Sequence, residues 1–147
     1  APGTGWTLAA ADQLAAAGDM DTDGKAELVV RNADGLGLVT LDAANQWRTR
    51  TRFFHGAVFS GGWAFGAGDQ LVGLGDFDGL GGKDLVIRSA WGLGVVSLRW
   101  YNYTLIVPAA GPYASMVDGW YLESADVVVG TTDLDGSGVE EILLQRQ

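Results

Sequence analysis

Short runs of apolar, strand-forming residues alternate along the chain with clusters of Gly, Asp and Asn, and no run carries the three-to-four-residue spacing of a helix face. From the amino end the pattern predicts strands over "QLAAAGD", "KAELVVRN", "LGLVTLD" and "QWRTRTRF". It then predicts strands over "QLVGLGD", "KDLVIRS", "LGVVSLRW" and "TLIVPAA", and a last pair over "ADVVVGTTD" and "EEILLQRQ". Val, Leu, Thr and Trp fill these runs and turn-formers bound them, which is the composition of an antiparallel meander.

The predicted strands recur with a fixed period. Asp19, Asp76 and Asp133 stand at equal intervals, and the same interval relates Trp6, Trp63 and Trp120, then Asp12, Asp69 and Asp126, then Gly24, Gly81 and Gly138. A self-similar period of this length sets the architecture before any local reading does. We divide the chain into a first repeat over 6–62, a second over 63–119 and a partial third over 120–147, together forming one domain. One four-stranded antiparallel unit per repeat is the layout of a β-propeller blade. About two and a half blades cannot close a ring of four to eight, so either several chains assemble or this sequence is a piece of something longer; the expectation is an all-β propeller whose ring is completed by other chains. The last strand, "EILLQRQ", reads as an edge that recruits a partner, which predicts a homo-oligomer through the incomplete third repeat.

The loop after the first strand of each repeat concentrates the charge. The chain of 147 residues has a formal charge of −9, and eleven of its eighteen acids sit in these three loops. In Asp19-Met-Asp21-Thr-Asp23-Gly24-Lys-Ala-Glu27, carboxylates at loop positions 1, 3 and 5 converge while the glycine permits a sharp turn. Hard cations with oxygen ligands take such an arrangement, and Ca²⁺ accepts more protein oxygens than Mg²⁺. An EF-hand needs its bidentate acid at position 12, but Val30, Ile87 and Leu144 stand there. Asp and Gly also form turns by bonding their own backbone, a second source of the same pattern.

The sequence D-x-D-x-D-G-x-x-[DE]-L-V between two strands, with a "GW" opening to each copy, resembles the FG-GAP or VCBS repeats of integrin α-chain propellers, and is similar to seven-bladed fungal propeller lectins. The resemblance spans nearly the whole chain. It implies Ca²⁺ held by Asp19, Asp21, Asp23 and Glu27, with the Lys25 carbonyl as a further ligand. In the second loop Leu80 takes the fifth position, which leaves Asp76, Asp78 and Asp84; in the third, Ser137 joins Asp133, Asp135 and Glu141. Fewer carboxylates imply weaker binding, so the expected order of affinity is first, third, second loop.

Other chemistry is sparse. There is no cysteine, and the single histidine, His55, lies in no catalytic motif; P-loop, nucleophile-elbow and HExxH patterns are absent from the sequence. The chain reads as non-catalytic. A net negative charge argues against nucleic acid, and no apolar run reaches the ~20 residues of a membrane-spanning helix. The small-residue start "APGTG" suits a secreted, extracellular protein. The tryptophans that recur in register read as packing residues, whereas Trp47, Trp91 and Trp100 break the register and are the candidates for stacking on a glycan. "WRTRTRF" alternates, which places Arg48, Arg50 and Arg52 on one face of an edge strand. Leu105, Ile106 and Val107 form an apolar run that needs a cover. The function expected from these features is lectin-like carbohydrate recognition by a calcium-binding oligomer, or alternatively a self-assembling adhesion subunit.

Overall fold

The computed structural model describes residues 9–58, 63–90, 92–97, 104–107 and 122–147. Every strand expected from the sequence is present: β1 (Gln13–Gly18), β2 (Glu27–Asn32), β3 (Gly35–Leu41), β4 (Trp47–Phe54), β5 (Gln70–Gly75), β6 (Asp84–Ser89), β7 (Gly92–Ser97), β8 (Thr104–Val107), β9 (Val127–Thr132) and β10 (Glu141–Gln145). They form two four-stranded sheets, ordered β1-β2-β3-β4 and β5-β6-β7-β8, and a two-stranded sheet of β9 and β10. All pairings are antiparallel. The protein is all-β, with no helix among the described residues and no sheet closed into a barrel.

The registers correspond from sheet to sheet. Gly18 pairs with Glu27, Gly75 with Asp84 and Thr132 with Glu141. The first strand of each sheet carries one extra residue against its neighbour, at Ala15, Val72 and Val129. Such a bulge bends its strand and raises the local twist. A second bulge interrupts β4: Leu38 pairs with Thr51 and Val39 with Thr49, which leaves Arg50 outside the ladder. The strict alternation expected for Arg48, Arg50 and Arg52 is therefore broken, because a two-against-one step moves the residues beyond it to the other phase. Arg48 bonds Asp42 at 2.8 Å, and the Arg52 guanidinium lies 5.5 Å from the Phe54 ring centre.

The sheets stack through two apolar layers. Between the first and second lie Met20, Val29, Leu36 and Leu38 on one side and Trp63, Phe65, Leu85, Ile87 and Val96 on the other. Val86 and Leu93 of the second sheet meet Leu122, with Val128, Ile142 and Leu144 packed against them. Alternation along β6 explains how one strand serves both layers: Leu85 and Ile87 point to one neighbour and Val86 to the other. β5 lies between β1 and β9, so the equivalent first strands are adjacent. Trp63 is buried, as its place in the repeat register suggested, while Trp6 and Trp120 lie outside the described residues. His55 packs its ring 5.6 Å from that of Phe65. The side chains of Leu105, Ile106 and Val107, for which a cover was expected, are also outside the described set.

The Trp63 indole lies directly over the backbone of β7. A Cβ added at Gly94 would fall 2.5 Å from the indole Cζ3, and the fused ring has little freedom to yield. Overpacking of this kind costs about 1–3 kcal/mol. Gly94→Ala is expected to lower stability by that amount in denaturant unfolding, whereas Gly68→Ala, where an added Cβ meets nothing within 4 Å, stays within about 0.5 kcal/mol of the parent.

Candidate metal-binding loops

Each acidic loop joins the first two strands of its sheet, starting just after β1, β5 or β9 and ending on the first residue of β2, β6 or β10. The turn is built on its first carboxylate. Asp19 accepts the N–H groups of Thr22 and Gly24 at 2.7 and 2.9 Å. Asp76 accepts those of Leu80 and Gly81, and Asp133 those of Gly136, Ser137 and Gly138. The sixth-position glycines adopt φ of +83° (Gly24), +92° (Gly81) and +86° (Gly138), the conformation the sharp turn requires. Turn formation by Asp and Gly is thus real in all three loops.

The last acid does something different. Glu27 is fully buried and accepts the Met20 N–H at 2.9 Å and the Thr40 hydroxyl at 3.3 Å. Asp84, also buried, accepts the Phe77 N–H at 3.0 Å and bonds the Ser97 hydroxyl. Glu141 accepts the Leu134 N–H at 2.8 Å. The residue that donates is the second of the loop, and it is apolar each time: Met20, Phe77 and Leu134. Met20 and Phe77 plug the inter-sheet layers. Sequence reasoning missed this plug and the supporting hydroxyls. The recurrence of an apolar residue at position 2, and of Thr40 and Ser97 at matching places in successive repeats, was the available signal.

These contacts gather three carboxylates in each loop: Asp19, Asp21 and Glu27; Asp76, Asp78 and Asp84; Asp133, Asp135 and Glu141. One oxygen from each lies within 4.8 Å of the others. Each cluster could hold a metal ion. Asp23, expected as a fourth carboxylate of the first loop, stands outside its cluster and accepts the N–H of exposed Lys25 at 2.8 Å. Ser137, at the same loop position, accepts the Val139 N–H at 3.2 Å. Its hydroxyl, and then its own N–H, hold the Asp135 carboxyl below the usual aspartate range. The three loops therefore present equal numbers of converging carboxylates, although the sequence ranks them by acid count.

In the first two clusters the acids are electrostatically uncomfortable together, a state that a cation would relieve. Burial pushes Asp84 up to about 6 from an ordinary 3.8; the Phe77 N–H and Ser97 hydroxyl oppose this, and repulsion from Asp78 and Asp76 adds to it. Glu27 is raised for the same leading reason, with Asp21 and Asp23 contributing. Desolvating a carboxylate costs several kcal/mol, and each hydrogen bond to it returns about 1.5–3 kcal/mol. Two bonds offset much of that cost but leave the mutual repulsion of three acids, which a bound cation removes.

A second recurring aspartate closes the turn before each first strand. Asp12, Asp69 and Asp126 accept the N–H groups of Ala9, Gly66 and Glu123 at 2.8–3.0 Å. The buried Asp69 carboxylate also bonds the Ser89 hydroxyl, and the guanidinium of Arg146, the counterpart of Ser89 in the next repeat, holds Asp126 below the usual range. Arg88 donates to the backbone carbonyls of Glu123, Ser124 and Asp126, clamping the third turn to the second sheet. Beside this clamp a recess of about 390 Å³ is lined by Gly68, Asp69, Gln70 and Arg88–Ala90, and a smaller one of about 160 Å³ by Arg88–Ala90, Gly92 and Leu122–Ser124. Of the candidate stacking residues, Trp47 is half exposed on β4; Trp91 and Trp100 lie outside the described residues.

No protein-family model, curated protein or solved structure matches the chain.

Two measurements test this electrostatic and conformational account. Asp84 has a raised folded-state pKa, so its contribution is fully present below the unfolded value of 3.8 and is lost as pH rises through about 6. In EDTA, the Asp84 carboxyl carbon is expected to titrate near 6 by NMR. Lowering the pH from neutral to the unfolded value should stabilise the parent relative to Asp84→Asn by roughly 2–3 kcal/mol. Thr22 is a β-branched residue at φ +65°, where the other loops place Gly79 and Gly136. Thr22→Gly is expected to raise stability by about 1 kcal/mol in denaturant unfolding.

Proposed function

We propose that the protein is a non-catalytic, calcium-binding propeller repeat protein, secreted, which recognises carbohydrate in a lectin-like manner as an oligomer. The observation that carries the calcium part is the convergence of three carboxylates in each of three equivalent loops, one of them buried against the sheet in the first two. All-oxygen donors on an irregular loop suit Ca²⁺, which tolerates variable geometry, better than Mg²⁺, which keeps most of its water and demands an octahedron. Secretion is consistent with this assignment, because extracellular modules work with weak sites in a calcium-rich medium. Bound Ca²⁺ would neutralise charge and fix each hairpin; Asp19, Asp21 and Glu27, with their equivalents, would hold it.

The blade assignment is supported by antiparallel four-stranded sheets that stack through their first strands, together with the loop motif shared with FG-GAP repeats. For carbohydrate, the recess lined by Gly68–Gln70 and Arg88–Ala90 offers polar groups, Trp47 gives an exposed ring elsewhere, and Trp91 and Trp100 are the further candidate rings from the sequence. Stacking of a sugar face on such rings, with hydrogen bonds from the rim, is the mode envisaged. The assembly reading, a structural subunit whose main ligand is itself, is favoured by exposed apolar residues on the outermost sheets, Leu14, Val129 and Leu134.

Calorimetric titration with CaCl₂ is expected to show saturable binding that Asp21→Asn, Asp78→Asn and Asp135→Asn each reduce by one site, and a thermal midpoint that rises with calcium. Glycan-array binding should disappear in EDTA. Absence of binding heat and of any calcium-dependent stabilisation would refute the metal assignment; array binding unaffected by EDTA would detach recognition from the ion.

A further inference from the structure

The aspartates that close the turns before β5 and β9 are held alike by their own turns and differently by what lies above them. Asp126 accepts the Glu123 N–H at 2.8 Å and a two-pronged contact from Arg146, whose Nε and Nη2 lie 3.0 and 3.1 Å from its two carboxylate oxygens. Asp69 accepts the equivalent Gly66 N–H at 2.8 Å, but Ser89 stands where the next repeat has Arg146, and its neutral hydroxyl is the other donor. Both carboxylates are buried. Among the described residues no Lys or Arg forms an ion pair with Asp69.

The surroundings of Asp69 are small where those of Asp126 are large. Gly66, Ser89 and Ala90 take the places of Glu123, Arg146 and Gln147, and a Cβ added at Gly68 meets nothing within 4 Å. What remains over Asp69 and Ser89 is the recess of about 390 Å³, within the ~300–1,000 Å³ of small-ligand pockets. It lies where β5 begins and β6 ends, on the sheet that has a neighbour on each side, so it is not a product of either end of the stack. Arg88 borders the recess too, but its guanidinium donates to the carbonyls of Glu123, Ser124 and Asp126 and leaves the Asp69 carboxylate to another group.

We propose that this recess receives a guanidinium from outside, the arginine side chain of a partner protein, which pairs with Asp69 as Arg146 pairs with Asp126 inside the chain. A carboxylate has about four lone-pair positions, and the turn N–H and the Ser89 hydroxyl use two. The third repeat shows that an oxygen carrying the turn N–H still accepts from a guanidinium: Asp126 Oδ2 takes both the Glu123 N–H and Arg146 Nη2. Guanidinium suits a buried carboxylate better than ammonium does, because its N–H groups form a planar fork and it is more weakly hydrated. The net charge of −9 draws a cationic partner. The inference goes beyond the carbohydrate and calcium readings and rests on neither.

The test is an amide NMR titration with L-argininamide, in CaCl₂ and in EDTA. Saturable shifts are expected at the Gly68 and Gln70 amides in both media, with L-lysinamide binding about tenfold more weakly. Ser89→Arg supplies the guanidinium from within, and Asp69→Asn keeps the turn acceptor while removing the charge. Each is expected to weaken argininamide binding at least about tenfold, with an unchanged circular dichroism spectrum. No saturable shift in the parent, equal binding of lysinamide, or undiminished binding by a folded Ser89→Arg would each overturn the proposal. Titration with methyl glucoside separates the two readings of the recess. Shifts of these amides by the sugar and none by argininamide would overturn the guanidinium assignment alone; argininamide binding by a chain that binds no glycan would support it and defeat the carbohydrate reading alone.

Discussion

The structure depends on a buried carboxylate at the start of the second strand of each four-stranded sheet. Glu27 and Asp84 accept the backbone N–H of the second loop residue, and that residue drives its side chain, Met20 or Phe77, into the layer between sheets. One hydrogen bond thus couples three levels of organisation: it shapes the hairpin, fixes the plug that joins neighbouring sheets, and brings an acid close to two others. An apolar isostere would spare the desolvation but release the loop. The acid is retained at an electrostatic cost that accumulates with its neighbours, and a cation is the simplest species able to relieve it.

Turn-making and ion-holding are compatible uses of the same acids in these loops. Asp19, Asp76 and Asp133 organise the turn through backbone N–H groups, yet a carboxylate that accepts such bonds still has lone pairs for a metal. Turn-making positions the carboxylates, and the same geometry brings together three that could hold an ion. Asp23 illustrates the limit of counting acids: it accepts the Lys25 N–H and its carboxylate lies outside the converging group.

The strand layout was legible because apolar runs bounded by Gly and Asp leave few alternatives, and because the repeat period checks each assignment against another copy. The loops were legible for the same reason. What could not be read were features set by three-dimensional proximity: the hydroxyls of Thr40 and Ser97 beneath the acids, the Arg88 clamp on carbonyls of the following turn, and the partner of Asp126, which is a guanidinium where Asp69 has a hydroxyl. The bulge at Arg50 was hidden as well. "WRTRTRF" alternates perfectly in sequence, and only the pairing of Thr49 and Thr51 with adjacent residues of β3 reveals that one arginine is supernumerary.

The extra residue in the first strand of every sheet, at Ala15, Val72 and Val129, precedes the loop aspartate by the same short step in each case. Kink, turn and anchor consequently travel together as a cassette. A duplication or exchange of any whole number of periods would deliver all three already aligned, with both contact surfaces intact. Such a chain can lengthen or recombine by copying its own units, without any joint having to be reinvented.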